Sequence, residues 1–298
     1  MIDTVNGFHI EPTNICTLKC PGCARTQFIN QWSQHWKNYS LDIDQTMNFL
    51  DIDISGIKIN FCGNYGDPIY HPDFINFVRR VKERGALVNV TTNGSYKTKE
   101  WWVELVDLLT DQDQITFSID GLPENFINYR INANWESIKT GIDIAAAGTV
   151  KTQWKYIPFS FNQTNIDLAK DLSITLGIDK FVVSLSDRFD NTTNYLKPDT
   201  TLLGHRYNAQ TAWKHDQISI VNPKCSNNRE HYISATGHYS PCCYITDHRF
   251  YYKSQFGKNK NEYAISDQTL SQILNQPKVL KFYQNLDQES ACQFNCPG

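Results

Sequence analysis

The chain has no apolar run approaching the roughly 18 residues of a membrane span, and no charged-then-apolar leader precedes its first apolar segment. Charge of one sign is lacking too: 28 Lys and Arg stand against 31 Asp and Glu, a formal net charge of -3. That leaves no basic field to recruit nucleic acid or anionic lipid, so neither is an expected partner. Cysteine is absent from the long stretch between Cys62 and Cys225. These absences predict a cytoplasmic protein, in a reducing compartment where cysteines serve metals or catalysis before disulfides.

What is present fits a globular protein. The 298 residues are 40% hydrophobic and 20% charged, enough for one large domain and a smaller one. Nine cysteines is many for a cytosolic chain. Three lie near the N-terminus, one is Cys62, and five follow from Cys225 onward. That layout predicts two separate metal sites, one toward each end.

The first is the stretch Glu11-Pro-Thr-Asn-Ile-Cys-Thr-Leu-Lys-Cys-Pro-Gly-Cys-Ala24, which holds Cys16, Cys20 and Cys23 as C-x3-C-x2-C. Three thiolates so close can reach three corners of one iron–sulfur cube but supply no fourth bond. An open iron is what a cluster needs to bind a substrate and not merely carry electrons. A structural zinc site wants four ligands, and no fourth is at hand: His9 is in the preceding strand and His35 is past the loop. The Pro-Gly inside the loop argues against inert buried thiols. Spacing and position after a short strand resemble the cluster loop of radical S-adenosylmethionine enzymes. That resemblance implies a [4Fe-4S] cluster whose fourth iron is chelated by the amino and carboxylate groups of S-adenosylmethionine.

β-rich runs recur at 8–11, 57–61, 87–91, 115–119, 154–157 and 180–184, separated by helical patterns. Phe74, Phe77, Val78 and Val81 fall at helical spacing and stop at Gly85. Segment 98–109 opens on a capping Thr98, and 134–148 and 164–177 end on glycine. Trp101 and Trp102 read as surface and core packing. Such alternation predicts a parallel α/β sheet with right-handed crossovers. Six units are too few for a closed eight-stranded barrel, so the fold class is α/β, a partial (β/α)6 TIM-like barrel, as the resemblance also implies. The repeat is lost over 188–224. The expected division is 1–187 as the barrel, 188–224 as a linker and 225–298 as a small C-terminal α+β hairpin-and-helix module that binds a cluster. His205 and His215 in the linker have no ligand spacing and read as surface residues.

Ligands of parallel α/β folds sit at the C-terminal ends of strands. After the second run comes Cys62-Gly-Asn-Tyr-Gly-Asp-Pro68. Alone it is a turn closing a strand–helix loop. It is similar to the family's Gly-Gly-Glu-Pro segment, which implies that Gly66 and Asp67 hold the cofactor's amino group, with an acid one methylene shorter. Thr91-Thr-Asn-Gly94 is equally an Asn-Gly turn; by resemblance, Thr92 and Asn93 line the cofactor pocket. Ser118-Ile-Asp-Gly121 followed by Arg130 resembles the pattern of members with an extra C-terminal cluster domain. It implies that Ser118 bonds the ribose or carboxylate beside Asp120, and that Arg130 pairs the carboxylate. Contacts to adenine are expected after the fifth run and at 184–186. Gly22 departs from the family, which has an aromatic before the third cysteine; either cofactor affinity falls or another ring takes its place.

The second metal site begins at Cys225. A hairpin pattern, Tyr-Ile-Ser-Ala, Thr-Gly, His-Tyr-Ser-Pro, leads to Cys242 and Cys243, and after a helix expected over 270–286 the chain reaches Cys292 and Cys296. Four thiolates, Cys225, Cys242, Cys292 and Cys296, suit one fully ligated [4Fe-4S] cluster, with Cys243 a spare that can replace Cys242. A four-Cys zinc site has the same spacing. The pattern resembles SPASM modules and, with five cysteines in place of seven, the one-cluster twitch form. Cys62 reads as a buried small residue.

The resemblance implies reductive cleavage of S-adenosylmethionine to a 5'-deoxyadenosyl radical and hydrogen abstraction from an unactivated C–H, with electrons from a flavodoxin or ferredoxin-type reductant. An auxiliary cluster favours a net oxidation or a peptide modification. The substrate is a peptide or a small molecule: a sugar, polyol or amino-acid dehydrogenase or epimerase remains the alternative. The early cysteine loop leaves no room for a fused N-terminal peptide-recognition domain. Asp187, Asp190 and Tyr195 are the candidates for a general base. Outside enzymes, the alternative is an iron–sulfur electron-transfer or zinc-binding structural protein.

Overall fold

The computed structural model describes residues 5–186, 188–199, 201, 229–247 and 250–296. In chain order the strands are β1 (Gly7–Ile10), β2 (Lys58–Phe61), β3 (Leu87–Thr92), β4 (Gln114–Ser118), β5 (Lys151–Tyr156), β6 (Lys180–Val183), β7 (Glu230–Ile233) and β8 (Tyr239–Ser240). The helices are α1 (Ala24–Trp32), α2 (Ile43–Phe49), α3 (Phe74–Glu83), α4 (Lys99–Asp107), α5 (Trp135–Ala147), α6 (Ile166–Thr175), α7 (Gln255–Lys258), α8 (Leu270–Leu274), α9 (Pro277–Gln284) and α10 (Ser290–Asn295). Strands and helices alternate through β6, and the fold class is the α/β partial-barrel type. Packing divides the chain into two compact units, one of Met1–Asn14, Asn38–Leu87 and Trp213–Gly298, the other of Ile15–Lys37 and Val88–Ala212.

In the first unit the strands run in the order β2-β1-β7-β8. β1 pairs in parallel with both β2 and β7, and all four of its residues are buried, as a strand covered on both sides requires. β7 and β8 form the expected antiparallel hairpin, turning at Gly237 with φ of 74°. Helix α3 buries Phe74, Phe77, Val78 and Val81, the stripe read from the sequence. The guanidinium of Arg84 then donates to the carbonyls of Met47, Leu50 and Ile52 at 3.2, 2.7 and 2.5 Å, tying the end of α3 to that of α2. The single helix expected over 270–286 is two, α8 and α9. Pro277 opens α9, and the residue before it, Gln276, takes the extended conformation a following proline imposes.

One buried group in this unit makes stability depend on pH. His231 of β7 is fully buried, and its Nδ1 meets the hydroxyl of Tyr239 at 2.8 Å. Its Nε2 has no hydrogen-bond partner among the described residues. Burial and the nearby Arg229 charge lower its pKa from 6.5 to about 4. Between those values the unfolded chain holds a proton that the folded chain refuses, so stability falls as pH drops through the window. The loss reaches about 3 kcal/mol at the acid end. Urea midpoints of the native chain and of His231→Phe at pH 7 and pH 4.5 should show a smaller drop in the variant.

The second unit has the order β3-β4-β5-β6, every pair parallel. Thr98 caps α4 by accepting from the Trp101 N–H, and Asn134 caps α5 by accepting from Ser137. These helices pack closely because position 141 is glycine: a Cβ there would lie 2.5 Å from the buried Trp102 ring. Asp113, between α4 and β4, accepts from the N–H groups of Val88 and Thr110 at 2.6 and 2.8 Å, holding the start of β3.

Candidate active site

In the second unit the cysteine loop is a series of tight local bonds. The Leu18 N–H points to the Cys16 sulfur at 3.4 Å, and the Cys23 N–H donates to the Cys20 carbonyl at 3.1 Å. Lys19 donates to the carbonyl of Ile131 at 3.0 Å, anchoring the loop, and Cys23 is the residue from which α1 starts. Cys20 is buried with Leu18, Tyr129, Phe159 and Leu196, and Cys16 and Cys23 pack against the same cluster. All three thiols therefore share one apolar cradle. Burial pushes the Cys20 thiol up to about 12, while the Arg130 charge pulls the other way.

Strand ends deliver the polar residues. Asn93, just after β3, sends its side-chain N–H toward the Cys16 sulfur at 3.7 Å and accepts from the Ser95 N–H at 2.9 Å. Thr92 accepts from Gly94 at 3.0 Å. Ser118 ends β4, half-buried and in register with Lys155 of β5. Asp120 is fully buried; one carboxylate oxygen takes the Nε–H of Arg130 at 2.7 Å and the other the Ile157 N–H at 2.9 Å. Burial works against the Arg130 charge, and Asp120, Cys20 and Tyr129 together more than offset it. Asn162 completes the corner by donating to the carbonyls of Asp120 and Ile157 at 3.0 and 3.1 Å. The sequence-based reading sends Arg130 to the cofactor; the structure places its Nε on Asp120.

Gly22 finds its explanation here. A Cβ at that position would lie 3.1 Å from the Tyr129 hydroxyl and 3.3 Å from the Arg188 carbonyl. Tyr129 in turn stacks on Phe159 at 4.1 Å between ring centres. A ring from a distant part of the chain, that of Tyr129, thus occupies the neighbourhood of the missing aromatic.

In the first unit, the loop from Cys62 to Pro68 is shaped by a residue the sequence reading did not single out. Glu11 is buried, and one carboxylate oxygen accepts from the N–H groups of Tyr65 and Gly66 at 2.6 and 3.0 Å. Its other oxygen takes the Tyr232 hydroxyl at 2.6 Å. Any side chain at Gly66 would collide with the Thr13 carbonyl at 1.9 Å, and one at Gly63 with the Gly66 carbonyl at 2.1 Å. Asp67 is buried and accepts from the Ile69 N–H at 3.3 Å, capping a short 3-10 turn. Glu11→Gln turns an acceptor-only group into one with an NH2 facing a donor. It should lower stability by about 2 kcal/mol in a urea titration.

The second thiol cluster lies in the same unit. Cys242 accepts from the Tyr244 N–H at 3.4 Å, and the adjacent Cys243 thiol lowers the pKa of Cys242 while its own is raised. His9 of β1 reaches the Cys62 carbonyl with Nε2 at 2.9 Å. Burial opposes the charge on His9, but Cys62 and Glu230 overcome it and push the imidazole up to about 9. Cys292 and Cys296 are buried at α10 and its end, joined by a 2.8 Å backbone bond. Cys225, Asp187, His205 and His215 lie outside the described residues. Asp190 is engaged with Thr192, Thr193 and Gln27, and Tyr195 is largely exposed.

Among the described residues no three His, Cys, Asp or Glu side chains stand in ready metal-holding geometry. The fit to an iron–sulfur group rests on the donor set and its cradle: soft thiols, three in one loop, packed on an apolar cluster with Cys20 buried and Cys16 and Cys23 half-buried. Among these residues no helix is long and apolar enough to cross a membrane.

A family model described as the Radical SAM superfamily matches residues 10–171. The chain belongs to the radical SAM superfamily. It is 26% identical over 200 residues to the tungsten-containing aldehyde ferredoxin oxidoreductase cofactor-modifying protein of Pyrococcus furiosus, covering 59% of this chain and 50% of that one. The match thus spans half the length of that curated relative. In fold it resembles Streptococcus suis SuiB bound to its precursor peptide SuiA, with a TM-score of 0.66 at 15% identity over 94% of this chain and 67% of that one. It also resembles anSMEcpe with bound AdoMet, at 0.62 and 11% identity over 93% and 82%. These likenesses establish the partial barrel of radical SAM proteins as the fold.

Proposed function

We propose that this chain is a radical SAM oxidoreductase or maturase that takes a hydrogen atom from an unactivated C–H of its substrate. The observation that carries the reading is the apolar cluster gathering Cys16, Cys20 and Cys23, with the Asn93 amide on the Cys16 sulfur. These thiols would hold a [4Fe-4S] cluster, which with S-adenosylmethionine supplies one-electron cleavage of a C–S bond and a primary alkyl radical. Gly66 and Asp67 take the amino group on a loop that Glu11 fixes from below. Thr92, Asn93, Ser118 and Asp120 line the pocket, and Arg130 offers its remaining guanidinium N–H groups to the carboxylate. The packing of Leu18, Tyr129 and Phe159 buries Cys20 and would limit water on that side of the cluster, where a reactive radical is open to side reactions.

Cys225, Cys242 or Cys243, Cys292 and Cys296 would hold an auxiliary [4Fe-4S] cluster within residues 225–298, with 1–187 as the barrel and 188–224 as the link. An auxiliary cluster can accept the electron left on the substrate, which supports a net oxidation or a peptide modification in the cytoplasm with a flavodoxin or ferredoxin as reductant. A small-molecule substrate is favoured by one observation: the relative from Pyrococcus furiosus is a cofactor-modifying protein. The test is anaerobic reconstitution with iron and sulfide, then dithionite and S-adenosylmethionine. Formation of 5'-deoxyadenosine supports the enzyme; its absence from an iron-loaded protein supports an electron-transfer or structural role.

A further inference from the structure

We propose that Tyr96 and Asn132 are positioning residues for the cysteine loop: their hydrogen bond closes a ring of three chain segments that holds Cys16 against the Asn93 amide. This rests on the reading of Cys16, Cys20 and Cys23 as cluster ligands. Nothing in the sequence singles out either residue.

The backbone does. Among the described residues, Tyr96 and Asn132 are the two non-glycine residues with positive φ, at 65° and 71°. That left-handed region crowds a side chain, and an aromatic residue tolerates it less well than asparagine. The two residues meet: the Tyr96 hydroxyl donates to the Asn132 carbonyl at 2.5 Å. Burial does not account for the arrangement, since Tyr96 is 52% exposed and Asn132 is exposed as well. Nor does the bond itself, which adds little stability where water can take either partner. Backbone held against its preference, with no burial to explain it, points to a role in a site.

The surrounding bonds show what that role is. Segment 93–97 follows β3, and segment 131–137 leads into α5. Besides the Tyr96–Asn132 bond, the Asn134 N–H donates to the Ser95 hydroxyl at 3.3 Å, and the Ser137 hydroxyl donates to the Lys97 carbonyl at 3.4 Å. The second segment also grips the cysteine loop. The Lys19 N–H donates to the Ile131 carbonyl at 3.0 Å, and the Asn132 side-chain amide donates toward the Thr17 carbonyl at 3.5 Å. The loop then meets the first segment at Cys16, whose sulfur faces the Asn93 amide at 3.7 Å, while the Asn93 side-chain oxygen accepts from the Ser95 N–H at 2.9 Å. The circuit is closed. Asn132 contacts the residue next to Cys16, and Tyr96 sits in the turn that carries Asn93. Opening the ring at either position frees the Cys16 sulfur and the Asn93 amide to move relative to one another. Such outer hydrogen bonds orient metal ligands and tune the centre they hold.

The test labels Cys16 with iodoacetamide in the full, anaerobically reconstituted chain and reads that one peptide by mass, so cysteines elsewhere do not interfere. In the native chain the cluster should protect Cys16, and rising chelator should expose it. Tyr96→Gly and Asn132→Gly relax the backbone and open the ring. In both, half-exposure of Cys16 should come at about a tenth of the native chelator concentration or less, the effect usual for losing an outer partner of a metal site. The urea midpoint of each apoprotein should stay close to the native one, because relief of strain offsets the greater freedom of glycine in the unfolded chain. Tyr96→Phe keeps the ring and removes one oxygen; it should shift chelator sensitivity in the same direction and serves if a glycine variant does not fold. Native chelator sensitivity in these variants overturns the proposal and leaves the cluster standing. Parallel loss of chelator resistance and of urea midpoint also overturns it, since a merely structural role gives that result. A native chain whose Cys16 is labelled equally with and without reconstitution overturns the cluster reading and the proposal with it.

Discussion

Cys20→Ala is expected to reduce 5'-deoxyadenosine formation by more than about a hundredfold, beyond the 10- to 100-fold typical of losing an outer-shell partner of a metal site. Cys20 is the buried member of the three, in the cluster of Leu18, Tyr129, Phe159 and Leu196. Two thiols cannot hold a cube with one corner reserved for substrate. The buried thiol of Cys20 is uncharged at neutral pH, so the substitution removes only the packing of one sulfur and the apoprotein should lose no more than about 1 to 2 kcal/mol of stability. Anaerobic assay of 5'-deoxyadenosine, together with urea denaturation of the apoprotein, separates the two effects. Loss of activity accompanied by equal loss of folding would contradict this assignment.

Breaking the Asp120–Arg130 pair should have the largest effect on stability. Asp120 is fully enclosed and Arg130 nearly so, with 0% and 16% side-chain exposure across a 2.7 Å contact. Arg130→Ala leaves a buried carboxylate with only the Ile157 N–H to answer it, and the expected cost is about 3 to 5 kcal/mol. Replacing both partners, Asp120→Asn with Arg130→Met, should recover much of that loss, because the remaining groups carry no charge. Urea midpoints of the two single variants and the double variant give the coupling directly. Additive losses would mean that the two side chains act independently.

The strands and capped helices were legible because their signals are local. Phe74, Phe77, Val78 and Val81 declare one face of α3, and Thr98 and Asn134 declare helix starts. Helix α1 was not anticipated because it buries none of its residues and so has no apolar stripe to read. Proline at 277 is a local signal that was outweighed by the periodicity on either side of it. The C-x3-C-x2-C loop was legible as chemistry, since spacing alone limits what three thiols can bind. Glu11 was not, because its role comes from a group distant in sequence, the Tyr232 hydroxyl. The ring that fits beside Gly22 also arrives from afar, from Tyr129.

The placement of β1 has a consequence for biosynthesis. Both ladders of this first strand are parallel, and one of them is made with residues near the other end of the polypeptide. While the ribosome is still elongating, the open side of β1 presents unpaired backbone groups, the kind of edge on which chains associate wrongly. Contacts of such long sequence separation also form slowly. An unpaired β1 edge is therefore expected to favour association until the β7 segment is available, and truncations before Glu230 should accumulate as aggregates.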